Sequence, residues 1–228
     1  MITLTIILVC IYFYFQNKKY KESSYYQVTN NSFLDIYFNK GKYGEYLTYK
    51  QLQNFEESGA KFLFNMYIAK DNGETTEADL IMICKKGIIV FESKNYSGWI
   101  FGDEKSRMWM QTLPTGKGRS HKEQFFNPIL QNKGHINYLK KIIEDEVPMY
   151  SVIVFSERCS LKKSPEWTNE VKVIRRPFVY DAVNNIFINN PDKLTQSNIW
   201  DYYGKLYKYS QATMETKIQH IQNIRYNH

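Results

Sequence analysis

Two acidic residues and one lysine lie beside apolar segments, where a charge needs a partner or a function. Asp79 stands near the start of the apolar run Ala78–Cys84, and Glu92 and Lys94 follow the run Gly87–Phe91. A buried charge is costly unless it is paired, hydrogen-bonded or bound to a metal ion. These three residues are therefore the first candidates for chemistry.

The two apolar runs are separated by only two residues, which predicts an antiparallel hairpin with a two-residue turn. In that register Cys84 faces Gly87, and Asp79 faces Glu92 directly. Residues opposite each other in an antiparallel pair point to the same side of the sheet, and so does Lys94, two residues beyond Glu92. A turn longer by one residue would send Asp79 to the other side.

Carboxylates directly opposite each other repel unless one is protonated or a cation lies between them. A hard divalent ion such as Mg²⁺ (or Mn²⁺) is the natural occupant. A lysine beside it would help to activate a metal-bound water and offset charge on a phosphate. A plain salt-bridge network of Lys94 with the two acids explains the same pattern, and spacing alone leaves both interpretations open.

Several separated motifs along roughly Lys42 to Ile143 resemble the nuclease-related domain (NERD) family, and they occur in the family's order. The matching segments are Gly44-Glu45, Thr76-Glu77-Ala78-Asp79, Gly87-Ile88-Ile89-Val90-Phe91-Glu92-Ser93-Lys94-Asn95-Tyr96-Ser97-Gly98, Trp109, Asn127-Pro128 and Gln131-Asn132. The family is regarded as a distant branch of the PD-(D/E)xK nucleases. The resemblance implies an α/β (α+β) fold like that of restriction endonucleases, a mixed central sheet flanked by helices.

The resemblance also implies a role for each matching residue. It implies that Asp79 and Glu92 bind the metal ion and that the backbone carbonyl of Ser93 is a further ligand. It implies that Lys94 is the catalytic lysine. Glu45 would be the acid from the first helix, and Gln131 the polar residue of the helix after the sheet. Ala78 replaces the proline that names the superfamily, and Ser93 replaces the usual apolar residue. Neither departure removes a group that the chemistry needs.

Periodicity and turn residues predict the surrounding elements. Helical spacing is found over Tyr43–Phe55 and after Asn127-Pro128, and Gln196–Ile224 is predicted to be helical with one interruption near Gly204. Strands are expected at Lys61–Ile68, Ala78–Cys84, Gly87–Phe91, Trp99–Gly102, Met108–Gln111, Tyr150–Phe155 and Val171–Ile174, the last two completing the sheet.

The segment Leu113–Gln124 is predicted to be a loop, because it holds proline, two glycines and several basic or histidine side chains. Its cluster Lys117, Arg119, His121 and Lys122 could contact a phosphate backbone, but a solvated charged loop is the favoured interpretation.

The N-terminus, Met1 to Phe15, carries no charge and is followed by three lysines at positions 18, 19 and 21. Fifteen helical residues span about 22 Å, short of a hydrocarbon core of about 30 Å. A signal peptide and a core strand fit less well than a membrane anchor helix with the domain facing the cytoplasm. The predicted organisation is an anchor (1–16), a juxtamembrane connector with a short helix at 32–38 (17–41), a nuclease-like core (42–148) and C-terminal strands and helices completing the domain (149–228).

Composition excludes fewer classes of function than the motifs do. The 228 residues carry a net charge of +7, yet residues 44–148 hold equal numbers of acidic and basic side chains. Three distant cysteines with no CxxC pair argue against a disulfide framework or a zinc site, and the four histidines show no ligand spacing, so they are expected to be at the surface or partly buried.

Three functions fit the sequence. The first is a membrane-anchored, Mg²⁺-dependent nuclease acting on DNA, and the second is a non-catalytic module that binds nucleic acid or a protein at the membrane. The third is a structural protein in which the acids and the lysine form a salt-bridge network.

Overall fold

The computed structural model describes residues 2–116, 118–165 and 168–226, which form two mixed sheets flanked by helices. The helices are α1 (Ile2–Lys21), α2 (Ser24–Thr29), α3 (Phe33–Phe38), α4 (Lys40–Leu52), α5 (Pro128–Ile143), α6 (Val179–Asn189), α7 (Gln196–Ser210) and α8 (Met214–Tyr226). The strands are β1 (Lys61–Ala69), β2 (Thr75–Cys84), β3 (Gly87–Lys94), β4 (Gly98–Phe101), β5 (Met108–Gly116), β6 (Arg119–Phe126), β7 (Met149–Phe155), β8 (Cys159–Lys163) and β9 (Val171–Arg175). Short 3₁₀ turns occupy Gln53–Glu56 and Arg176–Phe178.

The larger sheet has the strand order β1-β2-β3-β7-β9, with β1, β2 and β3 antiparallel and β7 and β9 parallel to β3. The predicted hairpin is confirmed: Cys84 pairs with Gly87 across a two-residue turn, in the expected register. Strands β7 and β9 complete this sheet, as the sequence predicted.

Helices α4 and α5 lie on opposite faces of β3. From α5, Gln131 bonds Lys94, whereas the Thr48 hydroxyl of α4 lies 3.5 Å from that of Ser93. Successive side chains of a strand point to opposite faces, so the two helices enclose the end of β3 between them. The predicted cap of α5 is also present, since Asn127 accepts a hydrogen bond from the Ile129 amide before Pro128.

The smaller sheet, β6-β5-β4-β8, corrects the prediction of a loop at 113–124. Here β5 and β6 pair from Met108 opposite Phe126 to Gly116 opposite Arg119. The first six residues of β6 are all exposed, so the strand lacks the apolar alternation that would distinguish it from a loop. Lys117, part of the predicted basic cluster, lies outside the described residues.

A second apolar core holds the smaller sheet against the larger one. The Trp109 ring stacks on Phe155 at 6.0 Å between centroids, and the two are packed with Ile100, Ile153 and Val173. The indole N–H of Trp109 donates to the Asp103 carbonyl. The motif tryptophan therefore fixes the smaller sheet beside the C-terminal end of β3.

The N-terminal segment is helical but does not match the predicted span. None of the described helices is long and apolar enough to cross a membrane, so the transmembrane helix is not supported. Most apolar side chains of α1 are exposed, whereas Tyr20 is fully buried. Tyr25 and Ile36, in the segment expected to be a connector, are also fully buried in the main core.

The C-terminal helices differ from prediction in one respect. Gly204 lies inside α7, and the chain leaves the helix at residues 211–213 instead. There Gln211 donates to the Val28 carbonyl, and Thr213 accepts from the Thr216 amide at the start of α8. Helix α7 packs against β1 and β2, and α6 was not foreseen.

Candidate functional site

The candidate site lies where β2 and β3 stop pairing. Their last paired residues are Leu80 and Phe91, so the predicted direct pairing of Asp79 with Glu92 is not present and each acid lies one position beyond the paired segment. Beyond that point the Ser93 amide donates to Oδ2 of Asp79 at 2.8 Å, so a carboxylate takes the place of a backbone acceptor. The hairpin thus brings both acids to its open end.

Strand β1 is distorted at the same level of the sheet. Its pairing with β2 skips Asn65, which adopts a left-handed backbone with φ of 48°. This conformation is uncommon outside glycine, although asparagine tolerates it best. The side-chain Nδ2 of Asn65 donates to Oε2 of Glu45 at 2.8 Å, and the Tyr25 hydroxyl lies 3.4 Å from the same oxygen. Glu45 of α4 is therefore fixed beside the end of β2.

Glu92 is the centre of a buried charged network. Its side chain is 1% exposed, and Oε1 lies 2.7 Å from Nζ of Lys94. Its second oxygen, Oε2, lies 3.2 Å from Nε2 of His135. Lys94 also donates to Oε1 of Gln131 at 3.0 Å. Gln131 and His135 stand four residues apart on α5, so one face of that helix supports both charges.

His135 links this network to β2. Its Nδ1 lies 3.0 Å from the Thr76 hydroxyl, and its side chain is 2% exposed. The sequence predicted no role for the histidines beyond a structural or exposed one. Its spacing from Gln131 indicated only a shared helix face, whereas the contact with Glu92 depends on tertiary packing.

Burial and neighbouring charges shift the pKa values of the three carboxyl groups in different directions. Burial raises the pKa of Glu45 to about 7. Burial, followed by the charges of Glu92 and Glu45, raises the pKa of Asp79 well above its usual range. Burial alone would raise the pKa of Glu92, but Lys94 and His135 outweigh it and the pKa is lowered.

Lys94 is held in its charged form. Burial lowers its pKa, but Glu92 and Asp79 together raise it above the ordinary value. The lysine is therefore an ammonium group at neutral pH, and it can donate hydrogen bonds but cannot accept a proton.

These groups line one open cleft with a volume of about 760 Å³. Its walls include Glu45, Asp79, Glu92, Ser93, Lys94 and Gln131, so the structure brings the predicted metal-binding and catalytic residues to one cavity. Arg119, His121 and Lys122 of the predicted basic cluster do not line it. Residues of β6 and α8 complete the walls.

One wall of the cleft comes from a residue that the sequence did not single out. His220 of α8 is 6% exposed, and its Nδ1 lies 3.0 Å from the Thr75 hydroxyl. Its Nε2 lies 3.7 Å from Glu77. The two histidine contacts join residues about 145 positions apart, which no local pattern could reveal.

The acids fit a divalent cation by charge, although not as a complete protein cage. Within the described residues no three acidic, histidine or cysteine side chains are grouped as ligands of one metal ion. Burial, followed by the charge of Glu92, raises the pKa of Asp79, and a cation between the two acids would offset both effects. Mg²⁺ usually keeps several waters and takes one or two carboxylates, so two acids with a backbone carbonyl meet its needs.

The fold and the site define a mixed α/β domain with two acids and a lysine at the open end of a hairpin. The chain belongs to the nuclease-related domain (NERD) family, whose model matches residues 40–156. It is 36% identical over 135 residues to an uncharacterized protein of Bacillus anthracis, an alignment that covers 59% of this chain and 61% of that protein. No solved structure matches the chain.

Proposed function

We propose that this protein is a metal-dependent nuclease that hydrolyses phosphodiester bonds in DNA. The observation that carries the proposal is the convergence of Asp79, Glu92, Lys94 and Gln131 on one cleft in a NERD domain. Phosphodiester hydrolysis needs an activated water and a cation that offsets negative charge on the phosphate.

The proposed metal ligands are Asp79, Glu92 and the Ser93 carbonyl. A bound Mg²⁺ or Mn²⁺ would supply a water of lowered pKa and neutralise part of the phosphate charge. Ser93 contributes twice, because its amide already orients Asp79 through the 2.8 Å hydrogen bond.

Lys94 is proposed to bind a phosphate oxygen as an ammonium group. Gln131 holds its Nζ from one side and Glu92 from the other, which leaves one of the three ammonium hydrogens for a substrate. His135 is proposed to be a positioning residue, because its Nε2 holds Oε2 of Glu92 at 3.2 Å.

A second function, binding without cleavage, is favoured by one observation. The Lys94 ammonium already neutralises Glu92 at 2.7 Å, so the acid has a partner without any metal ion. A NERD domain with this arrangement could hold nucleic acid or a protein without hydrolysing it.

The membrane location remains a prediction. The exposed apolar side chains of α1, such as Leu4, Ile7 and Ile11, support association with a lipid surface. Sedimentation of the full chain with vesicles containing anionic lipid tests this, with Ile7→Gln/Ile11→Gln as the variant. Equal recovery of both proteins in the supernatant would refute the prediction.

The nuclease assay uses the full chain with supercoiled plasmid, linear duplex, single-stranded DNA and RNA. Each substrate is incubated with Mg²⁺, Mn²⁺ or EDTA. We expect metal-dependent cleavage of DNA that is lost in Asp79→Asn and in Lys94→Met. Lys141→Met, which removes an exposed lysine paired with Asp71, is the matched control and should cleave normally.

Binding of DNA without cleavage in any metal would support the second function. Calorimetric titration of the wild-type chain with Mg²⁺ and Mn²⁺ adds an independent readout. If neither ion binds, the proposed metal site is wrong whatever the DNA result.

A further inference from the structure

The smaller sheet has one face packed on the second core and one face open to solvent. Ile100, Trp109 and Phe125 point into the core. Side chains alternate along a strand, so the intervening residues share the opposite face. We name this surface the outer face and define it by Trp99 and Phe101 of β4, Met110 of β5, Lys122 and Gln124 of β6, and Lys162 of β8.

Two aromatic rings are displayed on the outer face. Trp99 is 42% exposed and Phe101 is 37% exposed, and two residues along a strand place them about 7 Å apart. Large aromatic side chains are usually buried, and exposed ones at a surface often mark a binding site. Each ring thus keeps more than a third of its surface open to a ligand.

The charged groups beside the rings are mainly basic. Lys162 places Nζ 5.8 Å from the centre of the Trp99 ring, and Lys122 is exposed on β6 opposite Thr112. Two acids lie nearby, Asp103, which is 3.7 Å from Lys163, and Glu123, which pairs with His121 on β6. Lysines interleaved with exposed rings complement the phosphates and bases of an unpaired nucleic-acid strand.

The outer face continues into the cleft. Met108, Gln124 and Phe126 lie on the same side of the sheet as Met110, and they line the cleft beside Lys94 together with Phe125 of the core-facing side. Paired neighbours form a row from Gln124 through Met110 to Phe101, crossing β6, β5 and β4. A strand lying on this row would lead directly to the candidate active site.

We propose that the outer face binds single-stranded DNA and guides it toward the cleft. This rests on the proposed function, since the cleft is taken as the end of the path. A duplex fits less well, because its bases are stacked on one another and their faces cannot meet Trp99 and Phe101.

The test measures fluorescence anisotropy of labelled oligothymidylate with the full chain in EDTA. We expect tighter binding of this strand than of a duplex of equal length, and a loss of about tenfold or more in Trp99→Ala/Phe101→Ala. The matched control is Trp200→Ala, which removes a 52% exposed tryptophan that also lies under a lysine, Lys61. Because both rings are also partly covered, thermal melting of each variant checks that it is folded at the temperature of the binding assay.

Salt dependence adds a second readout. Lys122→Ala should reduce the slope of log affinity against log salt by about 0.7, the value for one phosphate contact with a single strand. Equal affinity of wild type and the double aromatic variant, or preference for the duplex, would overturn the inference.

The assay separates this inference from the proposed nuclease function. If strand binding depends on Trp99 but no metal supports cleavage, the outer face is established and the nuclease function fails. If DNA is cleaved with metal but binding ignores the aromatic substitutions, the nuclease stands and the outer face is wrong.

Discussion

Replacing Lys94 by Met tests whether the buried network is held together by charge. The variant removes the cation 2.7 Å from Oε1 of Glu92 and keeps a side chain of similar length. Glu92, 1% exposed, would then be a buried carboxylate with only His135 and no ammonium partner. Losing one partner of a buried pair typically costs about 3–5 kcal/mol.

Protonation of Glu92 limits that cost in a way that depends on pH. The ordinary pKa of this carboxyl is 4.5. Taking up a proton at pH 7 therefore costs about 3 kcal/mol, at about 1.4 kcal/mol per pH unit, and at pH 5 it costs under about 1 kcal/mol. We expect Lys94→Met to lose about 3 kcal/mol of unfolding free energy at pH 7 and much less at pH 5.

Urea unfolding of the full chain at both pH values measures these differences. Lys141→Met, which breaks an exposed pair, should match the wild type at each pH. The double variant Glu92→Gln/Lys94→Met should lose less than the two single variants together, because no unpaired charge remains. An equal loss at pH 5 and pH 7 would refute the reasoning, since it would point to packing and not to charge.

Three further outcomes follow from the geometry. Because the pKa of Glu45 is raised to about 7 in the folded protein, the native state holds a proton that the unfolded chain releases above its ordinary pKa of 4.5; the contribution of Glu45 to stability should fall by about 3 kcal/mol as pH rises from 4.5 through 7, and in urea titrations Glu45→Gln should reduce the total fall while leaving the part that the raised pKa of Asp79 causes. His135→Phe leaves Thr76 and Glu92 without their hydrogen-bond partner and should lower the free energy of unfolding by about 2 kcal/mol in urea titrations. An unchanged free energy of unfolding would show that these two hydrogen bonds do not stabilise the fold. Gly102→Ala places a methyl group on the Trp109 ring and should destabilise by about 1–3 kcal/mol with altered near-ultraviolet dichroism; Gly134→Ala, in open space on α5, should be neutral or stabilising.

The hairpin that carries the site could be predicted from the sequence because its determinants are local. Two apolar runs and a two-residue turn fix the register, and the register fixes which side chains share a face. The resemblance to the NERD family predicted that the motif residues of α4 and α5 would lie near the hairpin acids, and they line the same cleft. Their hydrogen bonds, in contrast, depend on the docking of the helices.

The wrong predictions share a physical cause. Exposed strands, and contacts between residues far apart in the sequence, leave little periodicity in the sequence to detect. Strand β6 has no alternation of apolar residues, so its sequence could not be distinguished from that of a charged loop. Gly204 weakens α7 by about 1 kcal/mol but does not end it, since tertiary contacts decide the boundary. His220 reaches Thr75 across most of the chain.

The short turn between β2 and β3 has a consequence for the order of folding. Asp79 and Glu92 are separated by few residues, so the chain loses little entropy in bringing them together. The parallel pairing of β3 with β7 joins residues as distant as Ile88 and Met149, and it requires the whole crossover through α5. Topology thus lets the two acids meet early, in water, while the helix that buries Glu92 docks late.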